Sequence, residues 1–282
     1  MRKLSRQSGA ALISVIIPTR NRPRLLKQAI TTAQNQTYQN IEMLIVDDAS
    51  DIDLANIIES FDKSTIRLFR NQVKKGAAFS RNVGIKKSRG EFIAFLDDDD
   101  EWLPDKLEKQ VKVFENSTVG LVTCYSLDKR VGREGVIRPP DSVSFRTLLL
   151  SFAITTTSSF LIRKRVLEET GLFDPELPAS QEYDLALRIA KKYGIRTVPK
   201  ILMVQNPAPG HISEKWLKKI RSVLAIRKKY DRDYNRLGFV WYVLIHIKIV
   251  TLIVLFSLGF VFGNSIYRII NPLKKLYGKL TR

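Results

Sequence analysis

Cysteine is almost absent from this chain. A single thiol, Cys124, in 282 residues rules out an intramolecular disulfide framework and fits a reducing compartment. It lies in an apolar run, where a lone cysteine behaves as a small core residue. Histidine is nearly as scarce, with only His211 and His246. The first ten residues carry charge but no apolar stretch long enough for a signal peptide, so the bulk of the protein is expected in the cytoplasm. No internal repeat and no long low-complexity segment occurs. Acidic residues are outnumbered, 28 against 47 Lys and Arg, for a net charge of +19. Such an excess alone would suit nucleic acid or an anionic membrane. Its distribution is more informative: residues 212–282 hold 15 Lys and Arg against 3 Asp and Glu, a net +12. The basic character therefore belongs mainly to the tail, as in a surface-binding appendage.

What is present is an apolar composition of 44%, with Leu, Ile, Val and Phe throughout, which excludes general disorder and suffices for one sizeable core plus an appendage. Apolar runs at 12–17, 41–46, 66–70 and 92–96 read as buried strands. Helical spacing at 24–36, 54–61 and 77–88 separates them. Strand and helix in alternation predict an α/β fold, a mostly parallel sheet flanked by helices on both faces. Further on, 103–116, 164–170 and 182–193 read as helices, and 121–126, 155–162 and 196–204 as strands. Residues 131–144 read as a loop.

In sheets of this kind ligands sit beyond the carboxyl ends of the strands. Two predicted strand ends carry acidic clusters, Asp47-Asp48 after Val46 and Asp97-Asp98-Asp99-Asp100 after Leu96. Four consecutive aspartates repel one another and call for a cation or a donor-rich surround. Hard divalent ions, Mg2+ or Mn2+, suit carboxylate oxygens and keep positions open for substrate phosphates. The alternative is a solvated loop capping the helix that follows. The strand directly before the cluster favours a site.

Several segments, in one order, carry a resemblance. Ser14-Val-Ile-Ile-Pro-Thr-Arg-Asn-Arg, Gln36-Thr-Tyr-Gln-Asn-Ile-Glu, Val46-Asp-Asp-Ala-Ser-Asp, Ala78-Phe-Ser-Arg-Asn-Val-Gly-Ile and Gly90-Glu-Phe-Ile-Ala-Phe-Leu-Asp-Asp-Asp-Asp-Glu-Trp-Leu-Pro resemble the family-2 glycosyltransferases over residues 12–213. The resemblance implies a GT-A fold with a Rossmann-like nucleotide-binding half. It also implies inverting transfer of a sugar from a nucleotide-sugar donor. Pro18 and Thr19 would line the nucleobase pocket, with Asn21 in the same donor-binding set, and Asp47 would bond the base. Asp97 or Asp98 would face the ribose. Asp99 would hold the metal bridging the diphosphate, with Asp97 a further ligand and Asp100 behind them. Arg81 would reach the base or the diphosphate, or else pair with a nearby aspartate.

Inverting transfer needs a carboxylate to take the proton of the acceptor hydroxyl. In the family it comes from an E-D pair opening a late helix. Here the segment reads Gln181-Glu182-Tyr183-Asp184-Leu185-Ala186-Leu187-Arg188, a departure from that pattern. Glu182 holds the base position. Asp184 is the fallback, its other role being a first-turn acid on the helix dipole. His211, with Ser213, resembles a downstream segment that closes over the diphosphate or reaches the metal, and is otherwise a surface residue.

Residues 237–263 contain 18 Leu, Ile, Val or Phe, with Lys248 and His246 the only basic groups. As a helix the segment would measure about 40 Å, enough to cross a bilayer with tilt. Basic residues on both flanks also fit a monotopic anchor at an anionic leaflet, and a soluble packed helix is the remaining alternative. The chain thus divides into a catalytic domain, 1–213, and a basic helical region, 214–282, placed at the cytoplasmic face of a membrane. A glycan or lipid-linked acceptor follows from that location, and nucleic acid is not an expected partner. Two other readings stay open: a sugar nucleotidyltransferase, whose Gly-rich first loop is here replaced by Pro18-Thr-Arg-Asn-Arg, and a non-catalytic basic membrane or nucleic-acid adaptor.

Overall fold

The computed structural model describes residues 10–61, 63–129, 135–151, 154, 156–207 and 212–262. Its elements run β1 (Ile13–Thr19), α1 (Pro23–Gln34), β2 (Ile41–Asp47), α2 (Ala55–Glu59), β3 (Ile66–Arg70), α3 (Ala77–Lys87), β4 (Phe92–Phe95) and β5 (Asp100–Trp102). They continue with α4 (Lys106–Val113), β6 (Val119–Asp128), β7 (Gly135–Ile137), β8 (Ser142–Val143), α5 (Phe145–Leu150) and β9 (Leu161–Arg163). Last come α6 (Lys164–Thr170), α7 (Gln181–Ala190), β10 (Gly194–Gln205), α8 (Ile212–Lys229), α9 (Asp231–Asn235) and α10 (Phe239–Phe262). The chain divides into one unit reaching Pro175 and resuming over Glu182–Pro207, and a second comprising Glu176–Gln181 and the C-terminal helices.

The first unit is the expected α/β sheet. Its order is β3-β2-β1-β4-β9-β6-β10-β5, with β7 on β6 and β8 on β10. Strands β3, β2, β1 and β4 are parallel, as are β6 and β10, while β9, β5, β7 and β8 pair antiparallel, so the whole sheet is mixed. All seven residues of β1 are buried, as a strand covered on both faces requires. The chain leaves β1 towards β2 on one side and returns to β4 on the other, which makes the β1/β4 boundary a topological switch point.

Proline 18 does not end β1 as its chemistry suggests. Pairing with β4 stops at Ile16, and Leu96 N–H donates to the Ile16 carbonyl at 3.0 Å. Residue 18 faces the same side, beyond the last ladder bond, so its missing N–H costs nothing there. Helix α3 lies close on β1 because Gly84 has no side chain: a Cβ there would stand 2.5 Å from the Ile16 side chain.

Differences from the sequence reading have physical causes. The expected strand over 155–162 is a strand only from Leu161; Thr157–Ser159 form a 3-10 turn. Ser159 donates its hydroxyl to the Thr156 carbonyl at 2.7 Å and accepts from the Thr123 hydroxyl at 2.7 Å. Residues 135–137 and 142–143 of the expected loop pair as short edge strands, and 131–134 lie outside the described residues. The aspartate cluster does not cap α4, which begins after Asp105, and Asp100 instead enters β5.

A cationic side chain lies wholly inside this unit. Lys106 is 0% exposed, its ammonium 2.6 Å from Gln110 Oε1 and 4.2 Å from the centre of the Trp102 ring. Burial pushes its pKa down to about 8, against a smaller opposing effect of Cys124, itself raised to about 11 by burial. Because the folded pKa lies below the unfolded value, the unfolded chain holds the extra proton between about pH 8 and 10.5, and stability rises with pH across that window. Unfolding of the wild type and of Lys106→Met should therefore give a stability difference that moves in favour of the wild type by about 2–3 kcal/mol over that window. A difference flat in pH would mean that Lys106 is not the titrating group.

Candidate active site

The carboxyl ends of β2, β1 and β4 bring together most of the residues singled out in the sequence. After β1, Thr19 donates its hydroxyl to Asp98 Oδ2 at 2.7 Å. Asn21, held at a left-handed φ of 55°, accepts from the Asp51 N–H at 2.7 Å and donates its own N–H to Ser50 Oγ at 2.9 Å. After β2, Asp47 is 2% exposed and accepts from the Ser50 N–H at 2.9 Å and hydroxyl at 2.5 Å, with Arg70 Nε 3.7 Å from its other oxygen. Asp48 accepts from the backbone of Lys75 (2.8 Å) and Gly76 (2.7 Å) and from Asn71 (2.9 Å), which fixes the entry into α3. Pro18 is buried beside them in β1.

After β4 the acidic turn is cross-linked to these segments. Arg22 reaches Asp98 at 3.0 Å and Asp99 at 3.4 Å. Arg81, on α3, pairs with Asp97 and stacks on the Phe173 ring, 5.4 Å from its centre. Its pairing with an aspartate is one of the two alternatives read from the sequence, and its buried Nε has no hydrogen-bond partner among the described residues. Ser158 grips the turn at both ends: its hydroxyl accepts from the Asp97 N–H at 3.0 Å and its carbonyl from the Trp102 indole at 2.8 Å.

This crowding is costly for ionised carboxyls. Burial, then the charges of Asp97 and Asp98, push Asp99 up to about 6, and Arg22 only partly offsets them. Asp98 is also raised, by burial first, against the lowering effects of Thr19 and Arg22.

A second group of residues stands on α7. Glu182 is half-buried and Asp184 is fully buried. Asp184 accepts from Arg188 Nε at 3.0 Å, and Arg188 spends its remaining donors on the carbonyls of Thr170 (2.6 Å), Gly171 (2.7 Å) and Leu172 (2.6 Å). Phe173, next in line, exchanges two hydrogen bonds with the Asn82 amide at 2.8 and 3.0 Å. Residues 170–173 thus tie α7 to α3, and through Arg81 to Asp97.

The family profile described as Glycosyl transferase family 2 matches residues 14–171, more than half of the chain. The chain belongs to this family. Among relatives of this glycosyltransferase, the Escherichia coli protein named UDP-Glc:alpha-D-GlcNAc-diphosphoundecaprenol beta-1,3-glucosyltransferase WfaP is 32% identical over 62% of this chain and 68% of its own. The putative colanic acid biosynthesis glycosyl transferase WcaA of E. coli K12 is 36% identical over 65% of this chain and 67% of its own. The fold is shared with the mannosyltransferase PcManGT from Pyrobaculum calidifontis, in complex with GDP-Man and Mn2+, at a TM-score of 0.64 and 20% identity, covering 95% of this chain and 79% of that one. S. aureus TarS 1-349 in complex with UDP-GlcNAc superposes at a TM-score of 0.60 and 20% identity, covering 76% and 66%. The glycosyltransferase spans 39% of the longer S. aureus TarS chain.

The donor set fits a hard divalent cation in part. Asp97, Asp98 and Asp99 offer only carboxylate oxygens, and Asp99, with its raised pKa, is the group a cation would hold ionised. Among the described residues no three His, Cys, Asp or Glu side chains converge as a ready-made metal cage. Phosphate oxygens of a ligand would have to complete the shell, as Mg2+ sites commonly require. His211 lies outside the described residues, so its expected part in the metal site has no geometry here.

Three residues of this region escaped the sequence reading. Arg22 has no role implied by the resemblance, although two arginines follow β1 directly and the acidic cluster needs cations. Ser50 orders the Asp47 loop. Ser158 sits in Thr155-Thr-Thr-Ser-Ser, a run with too many hydroxyls for the buried strand it was assigned to.

Proposed function

We propose that this glycosyltransferase moves a sugar from a nucleoside-diphosphate donor to an acceptor hydroxyl, with inversion, in polysaccharide or lipid-linked glycan synthesis. The observation that carries the reading is the meeting of three strand ends: Thr19, Asp47 and the turn Asp97–Asp98–Asp99, cross-linked by Arg22 and Arg81 at the switch point of the sheet. The nucleoside is bound by Pro18, Thr19, Asn21 and Asp47, with Asp97 or Asp98 towards the ribose. Asp99, with Asp97, would hold Mg2+ or Mn2+. Such an ion, when bound, neutralises charge on the departing diphosphate. Arg22 and Arg81 keep the carboxylates apart and oriented. Glu182 takes the proton of the acceptor hydroxyl as its oxygen attacks the anomeric carbon from the face opposite the leaving group.

The acceptor is a lipid-linked glycan at the cytoplasmic face of a membrane. The name of WfaP, a transferase acting on a diphosphoundecaprenol-linked sugar, supports this. So does α10, of which Phe239–Leu258 is long and apolar enough to cross a bilayer by length and composition, with 6% of its most apolar window buried.

The test is release of nucleoside diphosphate from a panel of nucleotide sugars, UDP-glucose first, with Mg2+ or Mn2+ and membrane lipid extract as the acceptor source. Metal-dependent release from one donor is expected, reduced about a hundredfold or more in Asp99→Ala. Release of pyrophosphate from a nucleoside triphosphate and a sugar phosphate would instead identify a nucleotidyltransferase. Silence with every donor would leave the non-catalytic adaptor.

A further inference from the structure

The two long C-terminal helices pack against each other in a way that constrains how they meet a membrane. On α8, Trp216, Ser222, Val223 and Ile226 are buried. Trp216 packs on Leu255 and Phe256 of α10, its ring centre 5.6 Å from that of Phe256, with the Lys219 ammonium over both rings. Farther along, Arg227 lies 3.1 Å from His246 Nε2 and stacks over Tyr242 and over Tyr234 of α9. The helices are therefore antiparallel, residue 216 beside 256 and residue 227 beside 246.

Two exposed stripes remain. On α10, Val240, Val243, Leu244, Ile247, Val250, Val254 and Leu258 are 37–66% exposed at steps of one to four residues, the spacing of a single face. On α8, Leu217, Arg221, Leu224 and Lys228 are exposed at steps of four, three and four, apolar and basic in turn. If α10 crossed a bilayer with α8 attached, Arg227 would be carried into hydrocarbon beside residue 246, near the middle of the span, and Lys219 beside residue 256, nearer its end; cationic side chains are expensive there. If the pair lies flat, the apolar stripe enters the acyl boundary and the basic side chains stay at phosphate level, where long side chains reach water.

We propose that α8 and α10 form a monotopic hairpin lying in the plane of an anionic leaflet, the α10 stripe in the acyl boundary and Arg221, Lys228 and their neighbour Lys218 on lipid phosphates. This rests on the membrane association in the reading above and is independent of the transfer chemistry. The leaflet, rather than a second protein surface, is indicated by charge: the stripe is apolar without acids, and the helix beside it presents cations.

The full chain is floated with phosphatidylcholine vesicles, with and without phosphatidylglycerol. Spin labels are placed singly at Val240→Cys, Val250→Cys and Leu258→Cys, Cys124 being buried. Binding should strengthen with phosphatidylglycerol, and all three labels should report one shallow depth in one leaflet. Lys218→Ala with Lys228→Ala should weaken binding to the anionic vesicles about thirtyfold and leave binding to phosphatidylcholine unchanged. A label at 250 near the bilayer centre, with 240 and 258 in opposite leaflets, overturns the flat hairpin and leaves a span. Binding indifferent to both lipid charge and the lysines overturns the anionic leaflet. No flotation with either vesicle, with dimers in light scattering, overturns the membrane reading itself and assigns the stripe to a second copy of this chain.

Discussion

Glu182→Gln is expected to lower turnover about 10²–10⁴-fold while leaving donor binding in place. Glutamine keeps the length and shape of the side chain and removes only its capacity to take a proton. The loss should therefore fall on kcat, and the donor KM should stay within a few-fold, because the residues proposed to bind the nucleotide sit at strand ends and not on α7. At 1.36 kcal/mol per decade, the predicted loss corresponds to about 3–5 kcal/mol of transition-state stabilisation. Thermal unfolding of the variant should match the wild type, Glu182 being half-buried and at the first turn of α7. Turnover within threefold of wild type, with an acceptor that is demonstrably used, would remove Glu182 from the base position.

Asp184→Ala should fail for a different reason. Asp184 is 0% exposed and paired with Arg188, whose other donors hold three successive carbonyls at residues 170–172. Removing one member of such a pair leaves a poorly compensated guanidinium and a loosened segment, at a cost of about 3 kcal/mol. For a chain of this size that lowers Tm by about 6–12 °C. Differential scanning calorimetry checks the value, and turnover measured well below the new Tm separates it from chemistry. A stable, inactive Asp184→Ala beside an active Glu182→Gln would exchange the two roles. The structure commits Asp184 to an ion pair with Arg188.

The parts of the fold that were legible share one property, a strong period in the pattern of apolar residues. β1, β2, β3, β4 and the helices between them lie within about two residues of their expected places; β1, β2 and β4, parallel strands buried on both faces, appear as unbroken apolar runs, while β3 is a half-exposed edge strand. The parts that were missed carry short or polar signals. β5 is three residues long and begins in the aspartate cluster, and it is a strand because Gln205 and Met203 of β10 pair with Asp100 and Trp102. α5 spans six residues, with a Ser144 cap accepting from the Thr147 N–H at 3.0 Å. The 3-10 turn at Thr157–Ser159 was hidden by β-branched threonines that suggested a strand. In the site, charge was legible and its neutralisation only in part, through the reading that pairs Arg81 with an aspartate. An acidic cluster can be read from four letters, whereas Arg22, which comes from a different segment, emerges as its partner only once the chain is folded.

Residues 170–173 are held from both sides of the proposed site. Arg188 holds three of their carbonyls from the helix that bears Glu182, while Asn82 and Arg81 hold Phe173 from the helix that reaches Asp97. Gly171, at φ 86° and with a Cβ position 3.1 Å from Arg188 Nη1, is the hinge pin of this short beam. A beam transmits load in both directions. If donor and acceptor bind as proposed, any energetic coupling between them through this stretch must be equal whichever one binds first.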